Sequence, residues 1–204
     1  MKRTLLLASV LSISMPSAAA RISVPDDVDS IAEAISRAKD GDTIFVAPGT
    51  YRESLELGSR SLTLEATDVI LDASGEKAGI IIDGEGRPTI LGITITGAND
   101  GIRARSLFTA RGITISDTGD GIDFEDGSGG LIADSLFENN SDDGIDLDKG
   151  VDVVIERTIV RRNGDDGIEI GLILNRPGFD VGRHEGSRPN HRDLSSELGE
   201  GRNV

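Results

Sequence analysis

The sequence predicts an all-β fold, a parallel β-helix solenoid, because one short motif recurs along the second half of the chain. The motif is Asp-Gly-Ile, and it has an echo without the Asp at Gly79-Ile80. Glycine to glycine, the successive steps are 22, 20, 23 and 23 residues. A period of this length is typical of solenoids, in which each repeat stacks on its neighbour. The four full copies are Asp100-Gly101-Ile102, Asp120-Gly121-Ile122, Asp143-Gly144-Ile145 and Asp166-Gly167-Ile168.

Short apolar strands separated by turn residues fill each repeat. Such strands, at a constant period, fit the coils of a parallel β-helix, where each strand pairs with the equivalent strand one coil on. After each Asp-Gly the apolar residues alternate with polar ones, so we expect the apolar ones to face the core. They are Ile102 and Ala104, Ile122 and Phe124, Ile145 and Leu147, and Ile168 and Ile170.

One helix is predicted before the repeats, over residues 29–39. Apolar residues follow the spacing of one helix face, and Ser30 with Glu33 has the pattern of a capping box. The apolar positions are Ile31, Ala34, Ile35 and Ala38. Strands are expected next at 43–46, 55–57, 62–65 and 69–71.

Both ends of the chain differ from the repeats. Residues 1–20 combine Lys2 and Arg3, an apolar run and small residues before Arg21, which is the order of a secretory signal peptide. We expect it to be cleaved and the protein to be secreted or periplasmic. The predicted β-helix domain covers residues 21–174. Residues 175–204 lack apolar periodicity and are interpreted as an irregular tail, either disordered or marking a truncated chain.

Composition excludes several kinds of site. There is no cysteine, so disulfides, thiolate metal sites and cysteine nucleophiles are ruled out. A net charge of −15 argues against a nucleic-acid partner, since such surfaces are basic. The negative charge is concentrated, with 17 Asp and Glu against 7 Lys and Arg in residues 100–170. We expect a monomer without a membrane span after signal cleavage.

The residues that alternate with the core positions form a charged outward row. Stacked strands lie about 4.8 Å apart, so like charges in equivalent positions would face each other at that distance. Opposed like charges destabilise a sheet unless a cation lies between them. The row consists of Arg103, Arg105, Asp123, Glu125, Asp146, Asp148 and Glu169. Turn residues add Asp120, Asp142, Asp143, Asp165 and Asp166.

Three interpretations of these acidic residues remain open. Asp-Gly is good turn chemistry, with Asp bonding the backbone and Gly taking the left-handed conformation, and this accounts for Asp100. The doubled Asp at 142/143 and 165/166 exceeds that requirement. One alternative is a solvated acidic face with raised pKa values. The other is a calcium site, since calcium binds clustered carboxylate oxygens.

The N-terminal part resembles a known superfamily. Asp29–Ile35 and Gly41–Tyr51 look like the capping helix and first coil of right-handed parallel β-helix proteins, the pectin lyase-like superfamily. The resemblance covers about residues 24–171 and implies a right-handed β-helix with an N-terminal capping helix. It is weak for activity, because that fold carries lyases, hydrolases, epimerases, adhesins and accessory proteins.

Two segments also resemble the Asp-Asp-Gly-x-Asp segment of the family 9 pectate lyases. They are residues 141–146 and 163–169. By this resemblance the ligands of a catalytic calcium would be Asp120, Asp142, Asp143 and Asp146. Asp165, Asp166 and Glu169 form a second-ranked set, since Glu169 stands where the motif has Asp.

The catalytic base of those lyases is a Lys from a later coil, and no Lys follows Lys149 here. Lys149 itself is a candidate, although an ion pair or turn role fits it better. Arg103 and Arg105 could bind uronate carboxylates or act as a base, but neutralising the neighbouring acids is the preferred interpretation. The expected function is therefore an exported carbohydrate-active protein, in its finer form a calcium-dependent lyase on a uronate-containing, acidic polysaccharide. The alternative is a non-catalytic polysaccharide-binding, surface or periplasmic accessory protein.

Overall fold

The computed structural model of the protein describes residues 18–171. Positions 1–17 of the predicted signal peptide and the whole predicted tail, 175–204, lie outside the described residues. The described chain contains one helix, α1 (Ile31–Arg37). In chain order the strands are β1 (Arg21–Val24), β2 (Thr43–Val46), β3 (Gly49–Tyr51), β4 (Leu55–Leu57), β5 (Thr63–Asp72), β6 (Ala78–Ile82), β7 (Thr89–Thr96), β8 (Asp100–Ala104), β9 (Leu107–Arg111), β10 (Thr114–Ser116), β11 (Asp120–Phe124), β12 (Gly129–Ala133), β13 (Leu136–Glu138), β14 (Ile145–Leu147), β15 (Asp152–Glu156), β16 (Ile159–Arg161) and β17 (Ile168–Ile170).

The strands wind into a right-handed parallel β-solenoid of about 7 turns, which confirms the predicted fold class. Each strand pairs in parallel with the equivalent strand of the neighbouring coil. Face A contains β1, β2, the first half of β5 and of β7, β9, β12 and β15. Face B contains β3, the second half of β5 and of β7, β10, β13 and β16. Face C contains β4, β6, β8, β11, β14 and β17.

Strands β5 and β7 each continue around the corner between faces A and B without a break. The predicted strands at 62–65 and 69–71 are one strand, β5, whose pairing register shifts between Glu65 and Val69. Asp68 takes the left-handed φ of 56° at this bend. The sequence suggested two strands because the polar residues at the bend interrupt the apolar alternation, while the backbone pairing continues around it.

Helix α1 packs against β1, β2 and β4 at the N-terminal end of the solenoid. Its buried residues are Ile31, Ala34 and Ile35, as the apolar spacing predicts. Ser30 is the N-cap and its Oγ accepts the Glu33 N–H at 3.1 Å, which is one half of the predicted capping box. The Glu33 carboxylate pairs with Arg37 at 2.6 Å, so the other half is replaced by a salt bridge one turn on. The helix thus covers the first coils, although it is shorter than predicted.

The core is a continuous column of apolar side chains from all three faces. Phe124 and Phe137 are among the largest fully buried side chains, and the Phe108 and Phe124 rings stack at 5.5 Å between centroids. Each fully buried side chain of this size contributes about 1.5–3 kcal/mol. In the last described coil, the inward residues Val160 and Ile168 are only partly buried. No helix in residues 18–171 has the length and apolar character that a membrane crossing requires.

Candidate functional site

Face C places equivalent charged residues one above another. Ile102, Ile122 and Ile145 are fully buried, as predicted, so the intervening residues face outward. Arg103 is in register with Asp123, Asp123 with Asp146, and Asp146 with Glu169. These four members of the outward row thus form one column across consecutive coils. The structure therefore confirms the alternation on which the predicted site depends.

The glycines of the Asp-Gly motif are needed for space, and the expectation that they adopt a left-handed turn conformation is wrong. Gly101 and Gly121 lie inside β8 and β11, and their φ angles are outside the left-handed region. A Cβ added to Gly121 would lie 2.2 Å from the Gly144 carbonyl oxygen and 2.9 Å from Phe137. Neighbouring coils approach too closely here for any side chain, so the repeat of glycine is a packing requirement.

The Asp of the motif holds consecutive coils together. Asp120 Oδ1 accepts the Asp143 N–H at 3.0 Å, and Asp143 Oδ1 accepts the Asp166 N–H at 2.6 Å. The predicted bond from Asp to backbone is therefore present, but it crosses to the next coil and does not close a local turn. These two carboxylates are fixed by the fold before any ligand is considered.

Asp120, Asp142 and Asp143 form a compact acidic group at the entrance to β11 and β14. One carboxylate oxygen from each can be chosen so that all three lie within 4.8 Å of one another. Asp143 is buried, Asp120 is half-buried and Asp142 is exposed. The group is thus open to solvent at Asp142, while backbone hydrogen bonds hold the carboxylates of Asp120 and Asp143 in place. Three of the four residues in the first predicted calcium set come together here, and Asp146 lies beside them on the outward row.

Burial and mutual repulsion make these acids hold protons unusually tightly. Burial raises the pKa of Asp143 from its ordinary value of 3.8 to about 7, and negative neighbours act in the same direction. Burial likewise raises the pKa of Asp146 to about 6, again with negative neighbours adding to it. Burial also raises the pKa of Asp120 and of Asp123. The predicted acidic face with raised pKa values and the predicted cation site therefore describe the same carboxylates.

The donor set suits a hard divalent cation. Calcium binds oxygen ligands, six to eight of them, and carboxylates are its preferred charged donors. Within the described residues no Lys or Arg forms an ion pair with Asp120, Asp142 or Asp143. The group therefore lacks a compensating charge from this part of the chain, and the residues present fit calcium.

The second predicted set, Asp165, Asp166 and Glu169, is arranged differently. Within residues 18–171 it does not form a further group of three with ligand atoms so close together. The Asp166 N–H donates to Asp143, and Glu169 is among the neighbours that raise the pKa of Asp143. This set thus supports the first group from the last described coil.

The two arginines of face C are engaged with acids. Arg103 forms ion pairs with Asp100, Asp123 and Glu125. Arg105 binds Glu125 with both Nε and Nη2 at 2.8 Å. Hydrogen bonding to Glu125 raises the pKa of Arg105 further. These contacts are those of the preferred interpretation, in which the arginines neutralise the neighbouring carboxylates.

Lys149 lies away from the acidic group, in the turn that follows β14. Its side chain is exposed, and its carbonyl oxygen accepts the Gly127 N–H at 3.2 Å. No ion pair joins it to another described residue. This placement fits the turn role that the sequence favoured.

The sequence predicts a turn role for Asp100, and the structure gives it a different one. It lies in β8, is only 1% exposed, and forms an ion pair with Arg103. The signal was present in the sequence as Arg at the third position after Asp, where the later copies have Asp or Glu.

Comparison with known proteins identifies the fold family. The chain matches no curated protein sequence. Among solved structures, it is similar to the alginate lyase from Paenibacillus sp. str. FPU-7, with a TM-score of 0.54 and 21% identity over 74% of this chain and 68% of that one. Residues 59–171 match the family described as the right handed beta helix region. Because this match covers more than half of the sequence, the chain belongs to the right-handed β-helix family.

Proposed function

We propose that this protein is a carbohydrate-active β-helix that holds calcium at Asp120, Asp142 and Asp143 and binds a uronate-containing polysaccharide along face C. The observation that carries the proposal is the approach of three carboxylates to within 4.8 Å without a cation from the described chain. An acidic surface repels an acidic polysaccharide unless a cation lies between them. Calcium on this group would supply that link.

The fold prepares the calcium ligands through backbone contacts. Because Asp120 and Asp143 each use Oδ1 on an amide of the next coil, Oδ2 of each can be directed to a cation. Asp142 adds an exposed carboxylate, and Asp146 stands next to the group on the outward row. The remaining ligands would come from water and from the carboxylate of the polysaccharide, as the coordination number of calcium requires.

More specifically, we propose that the protein is a lyase. Bound calcium would withdraw charge from a uronate carboxylate and so acidify the neighbouring C–H. β-Elimination also needs a base to remove that proton. Lys149 is the candidate base, and Arg103 and Arg105 are the other two. The solved structure of similar fold is an alginate lyase, which makes alginate a substrate to test.

A non-catalytic polysaccharide-binding protein is the second candidate. Both face C arginines are held in ion pairs, and Lys149 is exposed in a turn. A protein with the calcium group and without a base would bind the polysaccharide and leave it intact.

We also propose that the protein is an exported monomer. The order of charged, apolar and small residues over 1–20 supports cleavage and release to the periplasm or medium. Fractionation of the producing cells and light scattering of the purified protein test these two points. Protein retained in the cytoplasm at full length would contradict export.

The test of function uses the full chain with alginate and with polygalacturonate, in calcium and in chelator. We expect at least one of these polysaccharides to retain the protein in calcium and to release it in chelator. Retention of Asp142→Asn should be at least tenfold weaker than that of wild type. Asp126→Asn, an exposed acid in the turn after β11, is the matched control and should behave as wild type. Ultraviolet absorbance of unsaturated products separates lyase from binding protein. Equal retention in calcium and chelator would contradict the calcium proposal.

A further inference from the structure

Arg103 lies among three carboxylates on the coil that precedes the acidic group. Its Nε is 3.3 Å from Asp123 Oδ2 and 3.8 Å from Glu125 Oε1. Its Nη2 contacts Asp100 Oδ2. The Arg103 side chain is 26% exposed and that of Asp100 is 2% exposed, so the contact between them is shielded from water. The guanidinium is therefore the central cation of a three-carboxylate cluster.

One coil on, the position of the guanidinium holds a carboxylate. Asp100 is in register with Asp120, and Arg103 is in register with Asp123. Asp123 thus stands where Arg103 stands one coil earlier. Asp120 has no guanidinium beside it in the described chain and lies instead in a group with Asp142 and Asp143, which precede β14 and are not the register equivalents of Asp123 and Glu125. One cluster carries its own positive charge and the other does not.

We propose that Arg103 is a built-in counter-ion that occupies, between Asp100, Asp123 and Glu125, the place of a divalent cation. It confines the external cation to the later coils, and replacing it by a neutral side chain opens a second calcium site. This deepens the proposed function, on which it rests for the role of Asp120, Asp142 and Asp143. It makes Arg103 a residue that determines how many cations face C takes.

Asp100 is the residue that makes this position require a cation, which is the guanidinium of Arg103 in wild type and calcium in a variant without it. Its Oδ2 is buried and has no hydrogen-bond partner in the described chain, so the Arg103 ion pair is what compensates it. Its Oδ1 accepts from Asn99 Nδ2 at 3.0 Å, which fixes the carboxylate in place. A buried carboxylate deprived of its cation is strongly unfavourable. Asp123 adds a further carboxylate at the exposed side, and so does Glu125, which Arg105 also pairs. Oxygen donors are what calcium requires.

The experiment measures calcium stoichiometry by titration calorimetry on the full chain, with calcium chloride as the probe and sodium chloride at matched ionic strength as the blank. Arg103→Gln should bind one more calcium per chain than wild type. Its melting temperature should also rise with calcium by several degrees more than that of wild type. Arg105→Gln is the matched control, because Arg105 contacts Glu125 and does not contact Asp100. It should keep the wild-type stoichiometry.

Two further variants separate a cation site from a general loss of packing. Arg103→Lys keeps the charge and should bind no additional calcium. In Arg103→Gln combined with Asp100→Asn, the additional calcium should disappear. Equal stoichiometry in Arg103→Gln and wild type overturns the proposal, as does an Arg103→Gln protein that stays unfolded in millimolar calcium.

The same titration distinguishes failure of the Arg103 proposal from failure of the proposed function. If wild type binds no calcium and Arg103→Gln binds one, the calcium role of Asp120, Asp142 and Asp143 fails and the role of Arg103 stands. If wild type binds one calcium and Arg103→Gln also binds one, the role of Arg103 fails and the proposed function stands.

Discussion

At the scale of single residues, the glycines of face C are determined by the space between coils. Gly121 sits where two coils are in contact, whereas Gly127 sits in a turn with φ of 76° and open space around it. The first cannot accept a side chain, and the second can accept one with local backbone strain. This difference separates a packing requirement from a turn requirement.

We expect Gly121→Ala to lower the free energy of unfolding by about 3 kcal/mol or more, because its Cβ would overlap backbone that cannot move aside. Gly127→Ala, the control, should cost about 1 kcal/mol, the usual penalty for a left-handed alanine. Chemical denaturation of the three proteins measures both values. Equal costs would contradict a packing requirement for glycine at position 121.

The carboxylate of Asp143 gives a second prediction, in the calcium-free protein. Burial, together with the neighbouring acids, raises its pKa to about 7 in the folded state from about 3.8. A carboxyl group with a raised folded-state pKa favours folding when protonated. Its contribution is therefore present below pH 4 and is lost as the pH rises to 7.

Asp143→Asn should remove this loss of stability, because an amide does not ionise in this pH range. Its oxygen can still accept the Asp166 N–H. In chelator, the unfolding free energy of the variant relative to wild type should rise by about 1–3 kcal/mol between pH 4 and pH 8. Denaturation curves across that range measure the difference, with Asp126→Asn as control. A difference that stays flat with pH would contradict the raised pKa.

At the scale of elements, the corner between faces B and C is held by a ladder of polar side chains. Thr118 Oγ1 donates to Asn140 Oδ1 at 2.7 Å, and Asn140 Nδ2 donates to Asn163 Oδ1 at 3.1 Å. Asn140 is 2% exposed and also accepts the Thr118 N–H. The ladder positions the turn that carries Asp142 and Asp143.

Asn140→Ala should therefore destabilise the protein by about 2–4 kcal/mol, because it leaves the Thr118 N–H and hydroxyl without their acceptor and removes one donor from Asn163 Oδ1. Asn139→Gly is the matched control. Asn139 is exposed and has a φ of 60°, which glycine adopts freely, so its replacement should be nearly neutral. Thermal and denaturant unfolding compare the two. Similar losses would mean that the ladder contributes little.

Element by element, the sequence predicts the coils well and the corners poorly. The alternation around Ile122 and Ile145 is a local property, so it could be seen without knowledge of partners. The bend within β5 and the ladder at Asn140 depend on which residues of the next coil lie opposite, and a single sequence does not contain that register. The repeated Asn at 140 and 163 was nevertheless a visible signal.

The candidate site was predictable to the same extent. Doubled Asp in the turns indicated Asp142 and Asp143, and the resemblance to pectate lyases added Asp120. The repeat pattern does not predict the ion pair between Asp100 and Arg103, because the motif copies look equivalent although one carries Arg at the outward position. The role of a charged residue on one coil depends on which residues of the two neighbouring coils lie in register with it.

At the scale of the whole molecule, the solenoid brings acids that are about twenty residues apart in sequence to about one strand spacing in space. At Asp100 the negative charge is compensated by Arg103, and from Asp120 onward we propose that an external cation compensates it. The central claim is thus that calcium binds the folded protein at Asp120, Asp142 and Asp143.

The most direct test is the melting temperature of the full chain as a function of calcium, for wild type, Asp142→Asn and Asp126→Asn. Asp142 is exposed, so its replacement leaves the core intact. Ligand binding to the folded state adds about 2.7 kcal/mol when calcium exceeds its Kd a hundredfold, which raises the melting temperature by several degrees. We predict this rise for wild type and Asp126→Asn and its loss in Asp142→Asn. No rise in wild type at millimolar calcium, or an equal rise in Asp142→Asn, would contradict the claim.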